Sequence, residues 1–232
     1  VSDHVRAHIA QAAWSLVRRA ESWRSGRRPL LAHGPLFGVP AGAGGPGALR
    51  PVALTVDDGP DPRWTPRLLD VLDAHGVRAT FFVVGERAGR HPDLLRRVLA
   101  AGHTIGNHTY SHPQPFAALS PALIQEEIRR TQRVVFDETG FTPVLFRAPA
   151  GGWSRTVLGA ARDQGLASVD WSVDPKDWRS PPTARIVRTV LSARRGDIVL
   201  CHDGGGDRSR TVAALDTALG RLRRGGTVFT VL

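Results

Sequence analysis

The sequence predicts an α/β fold, and within that class a (β/α) barrel. Three observations carry the prediction. Short apolar runs with strand character alternate with longer patterns of helical period along most of the chain. The 232 residues are enough for one sizeable domain with a real core. The residue clusters best suited to chemistry all fall where a strand-like run opens into a loop, the place where barrels of this class put their active sites.

Taken in order, Val5, Ile9, Ala12, Ala13, Leu16, Val17 and Ala20 recur at helical spacing, which predicts an amphipathic helix over residues 3–24. Packing on the barrel is its default role. Arg18, Arg19, Arg24, Arg27 and Arg28 also leave room for weak association with an anionic surface. Residues 34–48 hold six glycines and three prolines and read as a loop or linker. The chain therefore divides into an N-terminal extension, 1–49, and a catalytic-type domain, 50–232. Strand-like runs follow at Val52–Val56, Ala79–Val83, Thr104–Ile105, Val144–Phe146, Ser168–Val169, Asp197–Leu200 and Thr227–Val231. Helical patterns lie between them at Pro62–His75, Pro92–Ala101, Pro121–Glu138, Ser154–Gln164, Thr183–Ala193 and Arg208–Arg224. Pro92 and Pro121 stand where the first turn of a helix tolerates proline, because its N–H would be unpaired there anyway.

Composition narrows the class. Hydrophobic residues at 41% and charged residues at 22% are ordinary for a globular protein. The single cysteine, Cys201, excludes an intrachain disulfide, a zinc ribbon or a redox pair, and its apolar neighbours predict a buried structural thiol. The net charge of +10 is concentrated at the amino end, where seven arginines face only Asp3 and Glu21 within residues 1–50. No helix-turn-helix, zinc-finger or interleaved aromatic pattern accompanies that charge, so nucleic acid is not an expected partner. No apolar run is long enough for a signal peptide or a membrane span. A complete chain would be cytoplasmic and a mature or trimmed one secreted or wall-associated. With no methionine in the sequence, residue 1 does not decide between them.

The most informative stretch is Thr55-Val56-Asp57-Asp58-Gly59-Pro60. Two adjacent carboxylates end an apolar run, and successive strand residues point to opposite sides, so one acid can bind a metal while its neighbour faces a substrate. Two such charges at a core edge repel unless a cation offsets them. Alone, the pair reads equally as a polar strand end before an Asp-Gly turn. A second cluster, Gly106-Asn107-His108-Thr109-Tyr110-Ser111-His112, places two imidazoles four residues apart, close enough to reach one ion. Such pairs also occur on solvated faces. Asp58, His108 and His112 together make a three-ligand set with open positions, the mark of a catalytic site for zinc or a similar divalent metal.

These residues resemble the polysaccharide deacetylases with NodB homology, the fourth carbohydrate esterase family. All five of that family's ordered motifs can be matched, over about Pro51 to Leu232 or roughly four-fifths of the chain. Thr55 to Pro60 is similar to the first, which implies Asp57 as catalytic base and Asp58 as metal ligand. His108 to His112 is similar to the second, which supplies the two metal histidines. Arg147-Ala148-Pro149-Ala150-Gly151-Gly152 resembles the third, whose Arg holds the base and whose backbone helps bind the oxyanion. Asp174-Pro175-Lys176-Asp177-Trp178 resembles the fourth, in which the Asp-Trp pair orients the acid histidine and walls the pocket. Leu200-Cys201-His202-Asp203 resembles the fifth, with Leu200 in the acetyl pocket and His202 as general acid. The resemblance narrows the fold to a distorted, incomplete barrel of about seven strands. Ala150 departs from the pattern, because many relatives carry an aromatic residue there. One wall of the cleft is therefore expected to be more open.

The chemistry is consistent with those assignments. Hydrolysing an N-acetyl amide needs an activated water, an oxyanion stabiliser and an acid for the departing amine. A divalent ion on Asp58, His108 and His112 would activate the water and polarise the carbonyl. Zinc is the first expectation for this ligand set, with Co²⁺, Ni²⁺ or Mn²⁺ as alternatives. Arg147 suits Asp57 because a guanidinium stays charged and can grip a carboxylate with two donors. Imidazole titrates near neutrality and a carboxylate beside it favours the protonated form, which makes Asp177 the candidate partner of His202. Trp178 fits either a cleft wall or the core. Trp153 and Trp171 carry no assignment. His103 fits packing or a supporting position better than ligation, and His4, His8, His33, His75 and His91 belong to no motif.

The leading expectation is a metal-dependent N-deacetylase of an N-acetylated amino sugar, in a chitin-like or peptidoglycan glycan or a small glycoside. Hydrolysis of another linear or cyclic C–N amide on the same scaffold is the alternative, against which the retained ligand set argues. A non-catalytic carbohydrate-binding module is the third, against which the intact Asp57 and His202 argue.

Overall fold

The structure, a computed structural model, describes residues 34–40 and 51–232. The helix expected over residues 3–24 lies outside the described residues.

Among the described residues, seven short strands alternate with seven helices: β1 Val52–Asp57, α1 Trp64–Ala74, β2 Thr80–Val83, α2 Gly85–Arg90, α3 Pro92–Ala100, β3 Thr104–Asn107, α4 Pro121–Thr139, β4 Leu145–Phe146, α5 Arg155–Asp163, β5 Ala167–Ser168, α6 Thr183–Leu191, β6 Ile198–His202, α7 Ser209–Arg224 and β7 Phe229–Thr230. Local sequence explains the sharp starts. Ser120 and Ser154 each turn a side-chain oxygen onto the N–H three residues on, Leu123 and Val157, which satisfies one orphan donor at each helix start. Pro121 follows at the tolerated first position.

All pairings in the sheet are parallel, in the order β5-β4-β3-β2-β1-β6, and β7 pairs with Val52 and Ala53 at the start of β1. The sheet curls but does not close between β5 and β6. Isolated bridges Leu36–Val169, Gly38–Asp197 and Val173–Val199 span that gap. The Gly- and Pro-rich stretch expected to be a loop thus includes a strap, residues 36–39, that hydrogen-bonds to both edges. This is the distorted, incomplete barrel expected from the motifs.

Period-two alternation on β1 divides the core into two layers. Val52, Leu54 and Val56 point outward and meet the helices, in a cluster with Leu68, Leu72, Phe81, Leu215 and Leu219. Ala53 points inward with Phe82, Val169 and Ile198. Each fully buried aliphatic side chain contributes roughly 1.5–3 kcal/mol. The same alternation sends Thr55 and Asp57 inward, and from β6 it sends Leu200 and His202 inward while Val199 and Cys201 join the helix layer. Cys201 is buried and unpaired, and burial, with the charge of Asp177, raises its thiol pKa well above the ordinary value. It is the inert thiol its neighbours predict. Among the described residues no helix is long and apolar enough to cross a membrane.

Candidate active site

The site forms at the carboxyl ends of β1, β3, β4, β5 and β6, where parallel strands open into loops. All six non-glycine residues with positive φ among the described residues sit in these loops: Asp58, Thr109, His112, Ala150, Lys176 and Ser180. Such backbone costs on the order of 1–3 kcal/mol per residue and persists where surrounding structure over-determines it. Glycine lets the loops pack tightly. A Cβ on Gly59 would meet the Asp203 carboxylate at 2.3 Å, and one on Gly204 would meet the Asp58 carbonyl at 2.2 Å. The loops after β1 and β6 are therefore in direct contact.

The three candidate ligands converge. Their donor atoms all lie within 4.8 Å of one another. Asp58 Oδ1 is 3.2 Å from His112 Nε2 and 3.5 Å from His108 Nε2. Bonds of about 2.1 Å to a shared ion put neighbouring ligand atoms roughly 3 to 3.5 Å apart, so this set fits a divalent cation. The tautomer fits as well. His108 Nδ1 lies 2.8 Å from the Arg147 carbonyl oxygen, so it donates there and leaves Nε2 turned toward Asp58. Burial, with the charge of His108, lowers His112 to about 4, so the ring is neutral and its lone pair available near neutral pH. Burial pushes the Asp58 carboxyl up, but the neighbouring imidazoles of His108, His202 and His112 outweigh it, and the net shift is downward.

Asp57 lies beside this set, 3.7 Å from His108 Nε2, and is gripped by Arg147. The Arg147 side chain is fully buried and each of its three nitrogens is hydrogen-bonded. Nη1 bonds Asp57 Oδ1 at 2.7 Å and Thr55 Oγ1 at 2.8 Å, Nη2 the Asp170 carbonyl at 2.9 Å, and Nε the Val169 carbonyl at 3.4 Å. Its guanidinium lies 4.2 Å above the Phe82 ring.

On the other side, Asp177 Oδ1 is 2.7 Å from His202 Nδ1, and Oδ2 accepts the His202 backbone N–H at 2.9 Å. Burial works against the imidazolium, yet the Asp177 hydrogen bond and the charges of Asp177, Asp58 and Asp57 raise His202 to about 9. Trp178, next to Asp177, is 46% exposed, which places it on the rim rather than in the core, with the Arg179 guanidinium 4.5 Å over its ring. Leu200 is buried one inward step below His202, and Ala150 is exposed at φ 53° after β4. Asp57, Asp58, His108, His112, Arg147, Ala150, Asp177, Trp178, Leu200 and His202 thus all belong to this one end of the barrel.

A profile of the polysaccharide deacetylase family matches residues 44–169. The chitooligosaccharide deacetylase of Bradyrhizobium sp. (strain ANU 289) is 43% identical over 205 residues, covering 83% of this chain and 93% of the relative. The chain belongs to the polysaccharide deacetylase family. This deacetylase-family chain is also 42% identical over 184 residues to the peptidoglycan-N-acetylglucosamine deacetylase of Bacillus cereus, covering 78% of this chain and 85% of that one. Among solved structures, the Bc1960 peptidoglycan N-acetylglucosamine deacetylase superposes with a TM-score of 0.78 at 36% identity, covering 85% of this chain and 90% of that one.

Some of the site was not singled out in the sequence. Thr55 accepts from Arg147 and donates to the Val199 carbonyl at 2.8 Å, tying the guanidinium to β6. Arg87 donates to the Asp58 carbonyl. Asp203 is buried beneath Gly59, held by the Thr65 hydroxyl, with Oδ1 lacking a partner. Burial, against the Thr65 bond and with the charges of Asp58 and Asp61, raises its carboxyl to about 7. Trp153 is a core residue, 1% exposed, whose Nε1 donates to Asp170 Oδ2 at 2.9 Å. His103 packs edge-on against Phe81, and its Nδ1 accepts the Ala79 N–H at 3.1 Å. Burial, helped by Arg78, lowers it to about 4. It is a packing residue.

Proposed function

We propose that this protein is a metal-dependent N-deacetylase that hydrolyses the acetamide of N-acetylglucosamine units in chitooligosaccharides or peptidoglycan, releasing acetate and leaving a free amine. The observation that carries the reading is the placement of one ligand set, Asp58, His108 and His112, between two buried ion pairs of different chemistry, Arg147–Asp57 and Asp177–His202. The activities named for the two relatives above agree with it.

Bound to the three ligands, a divalent ion, zinc first by donor type, would polarise the acetyl carbonyl and acidify a water. Asp57 then serves as general base. Arg147 fixes its Oδ1, leaving Oδ2 on the His108 side to take the water's proton. His202 serves as general acid. Nδ1 is committed to Asp177, so Nε2 carries the proton for the departing nitrogen. The deprotonated water oxygen forms a bond to the acetyl carbon, the C–N bond then breaks as the His202 proton reaches nitrogen, the bonding pair stays with nitrogen, and a neutral amine and acetate leave. Leu200 lines the inner end of the cleft for the acetyl methyl, Trp178 offers a face to a sugar ring, and Ala150 widens the opposite wall.

The test is acetate release from N-acetylglucosamine oligomers and from peptidoglycan fragments, before and after chelation and with divalent metals restored one at a time. Release that stops on chelation and returns with metal supports the reading. Release that survives complete stripping, or none from either glycan, sinks it.

A further inference from the structure

Thr211 and Arg208, at the start of α7, are named in no motif and are not among the candidate ligands, yet they are 1% and 3% exposed. Both reach Asp177. The buried stripe of α7 runs Thr211, Ala214, Leu215, Ala218, Leu219 and Leu222, and Thr211 is its one polar side chain. A buried hydroxyl costs about 1–3 kcal/mol if left without a partner, so its presence in an otherwise apolar stripe calls for a partner worth keeping. That partner is Asp177 Oδ2, which accepts from Thr211 Oγ1 at 2.9 Å. Arg208 Nε donates to the Gly204 carbonyl at 2.8 Å while Nη1 reaches the Asp177 carbonyl at 3.5 Å.

The geometry matters because an aspartate carboxylate turns freely about its last torsion unless both oxygens are held. Oδ1 faces His202 Nδ1, and Oδ2 receives the backbone N–H of the same His202. Both bonds come from one residue at the end of β6, so they leave the carboxylate without an anchor on any second element. Thr211 is the third donor, and it comes from a separate helix. We propose that Thr211, with Arg208 behind it on the backbone, is a positioning residue for the acid side of the reaction: it fixes the carboxylate plane so that His202 presents its proton from Nε2. This rests on the reading of His202 as general acid.

The readout must separate loss of acid catalysis from general damage. An acetamide nitrogen leaves only when protonated, whereas the phenolate of 4-nitrophenyl acetate departs without a proton. Relative to wild type, Thr211→Val, which keeps shape and removes the donor, should lose about tenfold in kcat on an N-acetylglucosamine oligomer with KM little changed, and about twofold or less on the ester. Thr211→Ser, which keeps the hydroxyl, should restore the wild-type ratio, and Arg208→Gln should show the same split more weakly. Equal losses on both substrates, or none in Thr211→Val, would overturn the proposal. The ring-nitrogen NMR shifts of His202 test it without turnover. Above about pH 9, once His202 has given up its Nε2 proton, wild type should show the neutral Nδ1–H form, and Thr211→Val a mixture of tautomers. An unchanged tautomer in a folded Thr211→Val overturns the proposal even if the protein deacetylates nothing, whereas wild-type protein that splits the ester but no acetamide counts against the deacetylase reading.

Discussion

The two flanks of the candidate cleft are each built on a buried ion pair 2.7 Å long, and they are held in opposite ways. On the base side, Asp57 is held by an arginine, which stays charged at any working pH and can only orient its partner. On the acid side of the proposed mechanism, Asp177 holds a histidine, whose own proton is the one that mechanism delivers. One flank is fixed by geometry and the other by titration. Loss of a partner should therefore be felt differently. Without Arg147, Asp57 sits buried without its cation. Without Asp177, His202 can discharge its proton and remain buried as a neutral ring.

The largest effect should come from Asp57→Asn. A general base that cannot accept a proton costs about 10² to 10⁴ in rate, while metal content, measured by elemental analysis, should stay at the wild-type level. A variant that loses its metal instead would show that the roles of Asp57 and Asp58 are reversed. Arg147→Gln should come next and should be chiefly a stability defect, about 3–5 kcal/mol by denaturant unfolding, because one member of a fully buried pair is gone. Asp177→Asn should cost clearly less in the same experiment; equal losses would erase the contrast. Trp178→Ala should be milder, about 1 kcal/mol or roughly fivefold in KM with kcat retained, because a rim aromatic binds ground and transition states alike.

The smallest effect concerns stability against pH. His202, raised to about 9 from 6.5, contributes stability that is fully present below the lower value and lost as pH rises through the upper. Asp203, raised to about 7 from 3.8, has the same sign, since its proton is held in the fold and released by the unfolded chain over that range. The Tm of metal-free protein should therefore decline between pH 6.5 and 9, chiefly on account of His202, and Asp177→Asn should flatten that decline, whereas below pH 6.5 His103 and His112, lowered from 6.5 to about 4, act against Asp203.

The placement of the candidate ligands and of both buried ion pairs at one end of the barrel was legible because their residues sit in short contiguous motifs at strand ends. Strand positions were legible to within a few residues for the same reason, as runs such as Val52 to Val56 are bounded by turn residues. What stayed hidden depends on tertiary contact. Thr55 reads as an ordinary strand residue until Arg147 arrives from β4. Thr211 could have been noticed as the polar member of an apolar helical stripe, although its partner lies 34 residues away. The strap at residues 36–39 was hidden by its own composition. Glycine and proline read as a loop, and only the unclosed gap between β5 and β6 gives those residues strand edges to pair with. The six-residue helix α2 is too short to show a period.

The most direct test of the contrast between the flanks is kcat/KM against pH for wild type and Asp177→Asn on an N-acetylglucosamine oligomer. The acid works only while protonated, so the wild-type rate should hold through neutrality and fall as pH passes about 9. In Asp177→Asn the largest influence left on His202 is burial, which lowers its pKa, so the alkaline limb should move to lower pH. A limb that stays in place in that variant would contradict the account, because Asp177 would then not govern the proton that releases the amine.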